Sequence, residues 1–276
     1  MMATHDNDTA DAVVTIHADH HGEGERVFGA TGWTVPAPSD FLAPLPKALR
    51  NRRITTFHYR DTGNSPKSHG FQHSIALYAR DLIHLIDSEG VDRPHLIGIG
   101  GMGAIVMMEV ATRLPERVTS LVLHQGWARC DPMLRWQIES MQRLLRDSGF
   151  DAYQKLAAAL CYTPDYITKH GDEILNTGWT ALRDHKDVHL AFMDSCLAFD
   201  VRDRLHRITC PTLIVTGDGT DYITGDRLVG EIKAGIPHAE VHVMTGVPHS
   251  FKQSPEFIAD FDRVVGAFWD RNPVSR

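Results

Sequence analysis

The chain has 276 residues, 42% hydrophobic and 23% charged, enough for one large domain with a substantial core or two modest ones. Its 28 basic residues against 35 acidic ones give a net charge of −7; this is not the basic footprint of a general polyanion binder, so no nucleic-acid partner is expected. No run reaches the roughly 18 apolar residues of a bilayer span, the polar start lacks the regions of a signal peptide, and four scattered cysteines without a C-x-x-C pair read as reduced thiols, so a cytoplasmic chain without a membrane partner is expected.

Residues 1–12 read as a disordered tail. Apolar runs predict strands at 13–16 and 26–28, the second ending in the Gly-rich loop Gly29-Ala-Thr-Gly-Trp33. A helix is expected over 41–49 and a strand over 54–59. Residues 74–87 carry apolar side chains near a 3.6 period and predict a helix. A strand at 95–99, a glycine-rich turn, a helix at 104–114 ended by Pro115, and a strand at 118–124 follow. From about 128 to 207 the pattern is amphipathic helix without a convincing strand. Alternation resumes with a strand at 211–216, a helix at 228–234, a strand at 240–244 and a helix at 255–269. Strands separated by crossover helices imply a parallel α/β sheet with helices on both faces. Residues 13–127 and 208–276 are then the core, and 128–207 an inserted helical cap over the carboxyl edge, where open α/β sheets bind ligands.

The strand–turn–helix at 95–114 admits two readings. Gly98-Ile-Gly-Gly-Met-Gly103 satisfies G-x-G-x-x-G, but it falls after two apparent strands and helices, and Glu116 is misplaced for a ribose contact. The other reading is a nucleophile elbow, G-x-S-x-G, on a sharp strand-to-helix turn.

The second reading gains from the rest of the chain. Gly29-Ala-Thr-Gly-Trp33 stands where an H-G-x-x-G oxyanion loop would stand, with Phe28 in the histidine's place. Tyr59-Arg-Asp-Thr-Gly-Asn-Ser-Pro66 is similar to a D-x-R-G-x-G-x-S loop. Pro211-Thr-Leu-Ile-Val-Thr-Gly217 is similar to the strand before a catalytic acid, and Gly246-Val-Pro-His-Ser250 to the loop of a catalytic histidine. On these motifs the chain resembles the α/β-hydrolase superfamily over about residues 13–270, which implies an eight-stranded, mostly parallel sheet. Thr62-Gly-Asn-Ser-Pro66, Gly126-Trp127, the segment 131–145 and Tyr162-Thr-Pro-Asp-Tyr166 resemble the pyrimidine-utilisation branch described as aminoacrylate or carbamate hydrolases. That branch carries alanine at its elbow, which implies a shared lack of nucleophile.

Counted back from Pro115, the elbow position is Gly101, or Gly100 after a one-residue shift. Neither supplies a nucleophile, so acyl-enzyme chemistry is not available. What remains is His249 as general base and Asp221 as its orienter, with Asp218 the second choice for the acid. The order Gly101, Asp221, His249 matches nucleophile, acid, histidine. Backbone N–H groups of Ala30 and Met102 are the expected oxyanion donors. Gly101 is expected to leave space for a water or a substrate carboxylate.

The expected function is cofactor-independent hydrolysis of a small organic acid, imine or carbamate-like substrate. A lyase or decarboxylase on the same site, and a non-catalytic binding or scaffold protein like the glycine-elbow N-myc downstream-regulated relatives, are the alternatives. A homodimer is the first oligomer to expect. Gly29, Trp33, His124, Trp127, Arg129, Trp136, Tyr162 and Phe192 are candidate pocket residues. Arg129 and Arg135 suit a carboxylate by bidentate pairing, although surface solvation is their commoner fate. His124 reads more readily as a satisfied wall histidine than as a second base, and the cap aromatics more readily as plain core. Cys161 and Cys196 read as structural thiols. His17, His20 and His21 beside Asp19 lack a distant partner set, so no metal is expected.

Overall fold

Strands and helices alternate along the chain as the apolar pattern predicts. The computed structural model describes residues 13–32, 45–67, 73–176 and 185–274. Within them lie β1 (Ala18–His21), β2 (Glu25–Ala30), β3 (Arg52–Phe57), α1 (Ile75–Ser88), β4 (His95–Gly98), α2 (Met102–Arg113) and β5 (Ser120–His124). Then come α3 (Pro132–Asp147), α4 (Phe150–Cys161), α5 (Pro164–Asn176), α6 (Lys186–Ala198), β6 (Thr212–Gly217), α7 (Val229–Gly235), β7 (Glu240–Met244) and α8 (Pro255–Arg271).

The sheet has seven strands among the described residues, where eight were expected, in the order β1-β3-β2-β4-β5-β6-β7. Every neighbouring pair is parallel except β1 with β3. The chain belongs to the α/β class, and its glycine-rich turn follows a central strand, not the first strand of a βαβ unit. The strand expected at 13–16 is not one. The Val14 N–H donates to the Asp81 carboxylate (3.1 Å) and the His17 N–H to Ser65 Oγ (2.9 Å), so these backbone groups are paired outside the sheet. Pairing with β3 begins only at Ala18. Of the helix expected over 41–49, residues 41–44 lie outside the described residues, and 46–51 form turns. The tail at 1–12 also lies outside them.

Side chains alternate across the sheet with the two-residue strand period. Leu96, Leu121 and Leu123 join a core with Tyr78 of α1 and Ile105 of α2. Ile97, Val122, Leu213 and Val215 face the other way, onto Phe261, Val265 and Trp269 of α8. Helix starts use side chains that accept first-turn N–H groups. Ser74 accepts from Leu77 (3.1 Å), Asp131 from Leu134 (2.8 Å), and Ser254 caps α8 ahead of Pro255.

Helices α3 to α6 occupy the stretch between β5 and β6, two strands that are neighbours in the sheet. Two contacts tie them to the carboxyl edge. The Arg227 Nε donates to Asp131 Oδ2 (2.9 Å), and the Ser250 N–H donates to the Cys161 carbonyl (2.9 Å). Among the described residues no helix is long and apolar enough to cross a membrane.

Candidate active site

Four consecutive parallel strands deliver the site. β4 ends at the glycine turn, β5 at His124, β6 runs into the loop of Asp221, and β7 into the loop of His249. These are carboxyl ends of strands, the edge at which open α/β sheets bind ligands.

Strand β4 and helix α2 meet very closely. A Cβ on Gly98 would lie 2.4 Å from the Cα of Ala104, so only glycine allows this approach. Gly101 is the N-cap of α2, with φ 56° and ψ −84°, a left-handed backbone that strains any other residue. Its carbonyl accepts from the Ile105 N–H (3.1 Å).

The space beside Gly101 is filled. A Cβ there would lie 2.7 Å from Cζ3 and 3.2 Å from Cη2 of Trp127. Trp127 is 1% exposed, so its ring cannot swing away cheaply. The expectation of open room for a water or a carboxylate is therefore corrected: an indole edge occupies the place of the missing side chain.

Asp221 is buried and saturated. Its Oδ1 accepts from the N–H groups of Ile223 (3.0 Å) and Thr224 (3.1 Å), and its Oδ2 from Thr224 Oγ1 (2.7 Å) and Gln125 Nε2 (3.0 Å). His249 Nδ1 lies 3.4 Å from Oδ1 and 3.5 Å from Thr224 Oγ1. Burial pushes the carboxyl up, but the His249 charge and the hydrogen bonds from His249 and Thr224 outweigh it, holding Asp221 well below the usual carboxylate range. An ionised Asp221 favours the proton on His249 Nδ1, which leaves Nε2 free as a base. Asp218, the second choice, accepts instead from Gly246 and Thr220 and shapes the loop.

His124 is buried, and its ring stands edge-on to Phe251 (5.1 Å) and Phe261 (5.2 Å). Its Nδ1 accepts from the Gly100 N–H (3.4 Å). Burial, and then the neighbouring His249, push its pKa down to about 3, so it stays neutral as a wall residue. Met102 opens α2, and its N–H is one of the first-turn donors that lack an intrahelical acceptor.

The other expected residues divide. Ala30 is held in the sheet: it pairs with Gly98, and its carbonyl accepts from Ile99 (2.8 Å). Gly29 is likewise inside β2, paired with Thr56 and Ile97. Arg129 spends its guanidinium on Glu231 (2.9 Å). Trp136 is 69% exposed, so it does not line a closed pocket. Phe192 is buried against Tyr59 (5.6 Å), whose hydroxyl donates to the Thr31 carbonyl within the Gly-rich loop (3.0 Å). Tyr162 follows Cys161, the residue that holds Ser250, and so abuts the His249 loop. Trp33 lies outside the described residues. Burial pushes the thiols of Cys161 and Cys196 well up, which leaves them inert. Among the described residues no group of three or more His, Cys, Asp or Glu is placed to hold a metal ion, and His17 pairs with Asp19 (3.4 Å).

Sequence reasoning missed Thr224 and Gln125, both of which hold Asp221, and Gln253, whose Oε1 accepts from Thr163 (3.0 Å). Only Gln125 carried a signal: it directly follows a strand at the carboxyl edge.

Comparison with known proteins identifies the family and the fold. A model of the alpha/beta hydrolase family matches residues 13–261. The chain belongs to the alpha/beta hydrolase family. It is 30% identical over 240 residues to a protein of Azorhizobium caulinodans named "Putative carbamate hydrolase RutD", covering 86% of this chain and 88% of that one. A protein of the same name from Pseudomonas savastanoi pv. phaseolicola is 31% identical over 203 residues, 72% of this chain and 77% of that one. Both bear out the resemblance to the pyrimidine-utilisation branch. Among solved structures, the enol-lactonase from Burkholderia xenovorans superposes with a TM-score of 0.79 at 20% identity, covering 93% of this chain and 98% of that one. The alpha/beta hydrolase MGS-M2 from a deep-sea metagenome library gives 0.81 at 19%, with 95% and 96% covered. At such identities these two speak for the fold. As a member of the alpha/beta hydrolase family the protein is a hydrolase of that type.

Proposed function

We propose that this hydrolase works without a covalent intermediate, using His249 and Asp221 to add water to a small carbamate-like substrate. The observation that carries the reading is a contrast within one site. The elbow position is a glycine whose side-chain direction is filled by Trp127, while His249 and Asp221 remain paired. The names of the RutD relatives supply the substrate class.

In this reading, His249 Nε2 takes a proton from water as the oxygen attacks the carbonyl carbon. Asp221 steadies the imidazolium through Nδ1–H. The Met102 N–H and the positive end of α2 stabilise the growing oxyanion. His249 then returns the proton to the leaving nitrogen. For carbamate, one anion and one water give one ammonia and one bicarbonate, with the C–N bond broken and one C–O bond formed. Imine or aminoacrylate hydration uses the same base. General acid–base catalysis of this kind supplies about 10²–10⁴-fold. Helices α3 to α6 act as a cap, anchored to the catalytic loop where Ser250 meets Cys161.

The test is turnover of freshly generated carbamate and aminoacrylate, corrected for spontaneous decay, alongside p-nitrophenyl acetate. Wild type should accelerate the unstable substrates and ignore the ester. His249→Ala and Asp221→Asn should each lose most of the acceleration, Asp221→Asn through the wrong histidine tautomer. If wild type accelerates neither unstable substrate, the scaffold alternative replaces this reading.

A further inference from the structure

Three large hydrophobic side chains stay exposed together where helix α3 meets the loop of Asp221. Met133 is 45% exposed, Trp136 69% and Tyr222 60%. Met133, Trp136 and Gln137 stand within one turn of α3 and share a face of the helix. The Gln137 Nε2 donates to the Tyr222 carbonyl (2.7 Å), which brings the residue after Asp221 against that face. Exposed apolar side chains scattered singly are ordinary, whereas a contiguous patch marks an interaction surface. Trp, Tyr and Met are also the types enriched in such surfaces, and Trp and Tyr supply most of their binding anchors.

The two flanks of this face differ. On one side Gln137 joins the Asp221 loop, and Met133, one turn before it, lies on the same side. On the other side the Arg135 Nη2 donates to the Leu197 carbonyl of α6 (3.2 Å), and Arg135 pairs with Glu139 (3.7 Å). Both charged side chains are about half exposed. Trp136 stands between the flanks. This pattern is complementary to itself. Arg135 and Glu139 lie two residues to either side of Gln137, so a two-fold axis crossing α3 at Gln137 runs two copies antiparallel and keeps like flank on like flank. Each Arg135 then faces the second copy's Glu139, and the two Trp136 rings meet beside the axis. Met133 and Tyr222 follow along the apolar flank. A flank with one cation and one anion does not suit an anionic membrane or a nucleic acid, and a net charge of −7 opposes both.

We infer that this face of α3, together with Tyr222, is where two copies of this chain associate in an antiparallel two-fold contact. The inference goes beyond the proposed function and does not depend on it. The contact is small. With 16 residues, α3 offers a face about 24 Å long and about 10–12 Å wide, well under the ~800 Å² per partner of a standard interface. The dimer is therefore reversible, with a Kd of about 10–100 µM.

The test is sedimentation of the full chain from about 1 µM to about 500 µM, a range that brackets this Kd. Wild type should pass from monomer to dimer. Trp136→Ala should weaken association at least about 30-fold, the scale of a central aromatic anchor. Arg135→Glu and Glu139→Arg should each weaken it about ten-fold, because like charges then face across the axis. Mixing these two variants should restore association, since a copy with two acids meets a copy with two bases. The double swap Arg135→Glu/Glu139→Arg should restore it within one sequence. The substituted side chains are exposed, so the variants keep the fold. Val243→Lys, at the other exposed apolar place on the edge strand β7, should leave the Kd unchanged. Wild type that stays monomeric throughout, Trp136→Ala that associates like wild type, or no recovery on mixing overturns the inference. Loss of the dimer in Val243→Lys would put the contact at the sheet edge and overturn it as well.

Discussion

Restoring a serine at the elbow should damage this protein, and a second substitution should repair part of the damage. At φ 56° and ψ −84°, a side chain on residue 101 costs about 1–2 kcal/mol in backbone strain. Its Cβ would sit 2.7 Å and 3.2 Å from two indole carbons, against an optimum of roughly 3.5–4.0 Å. Overpacking of that kind in a rigid core costs about 1–3 kcal/mol. Gly101→Ser should therefore destabilise by about 2–5 kcal/mol. Trp127→Ala alone should cost about 3–5 kcal/mol through its cavity. In the double variant the collision disappears while the strain and the cavity remain, so the combined loss should fall short of the sum of the two by about 1–3 kcal/mol. The assay is urea unfolding of the four proteins, followed by circular dichroism because two of the variants lack a tryptophan. A Gly101→Ser protein within about 0.5 kcal/mol of wild type, or a cycle additive to that margin, would refute the claim that the indole fills the elbow.

Further outcomes follow from the same geometry. Gly101→Ser should show no acyl-enzyme burst with p-nitrophenyl acetate, whereas Gly101→Ser/Trp127→Ala should show one that His249→Ala removes; a burst in the single variant would mean that Trp127 yields easily. Acid should weaken the fold through His124, whose pKa falls from an unfolded value of 6.5 to about 3. The unfolded chain binds the extra proton between these values, so the stabilisation is complete above pH 6.5 and drains as pH falls toward 3, at about 1.4 kcal/mol per pH unit. Asp221, whose pKa is lowered, adds a loss of the same sign at lower pH, below the ordinary carboxylate range. In His124→Gln the slope of unfolding free energy between pH 4 and 6 should drop by about that amount, and an unchanged slope would show that His124 is not buried neutral. Gln253→Ala should free the Thr163 N–H and loosen the His249 loop, raising hydrogen exchange at Thr163 and Ser250 and lowering kcat several-fold, by at most about 10²-fold. Unchanged exchange at both amides would exclude the tether.

Legibility in the sequence tracked how local each feature is. The elbow stood out because glycines at 98, 100, 101 and 103 and a helix ended by Pro115 lie in one short stretch, and each serves the backbone. Asp221 and His249 were legible because each follows a recognisable strand in the expected order, and the fold sets them 3.4 Å apart. The first strand was misplaced because burial of Ile16 reads as strand in a periodicity, while the pairing that decides it runs to side chains of Asp81 and Ser65. Arg129 and Trp136 misled for a related reason. A guanidinium or an indole on a cap segment suits a pocket by type, but which way it faces is set by Glu231 and by the packing of α3.

The most consequential miss was an assumption about volume. A glycine in place of a nucleophile reads as a hole, because sequence records the missing atoms and not the neighbours that move in. Here the neighbour comes from the end of a different strand, and Trp127 by type suits pocket lining or plain core. Close packing makes the hole the less stable alternative, since an empty space beside an elbow forfeits the contacts of every atom that lines it. A chain that gives up its nucleophile can therefore either collapse the site or rebuild it around another side chain. The pairing of His249 with Asp221, held by Thr224 and Gln125, favours rebuilding. A relaxed site would have no physical need to keep a buried carboxylate so fully satisfied beside a histidine.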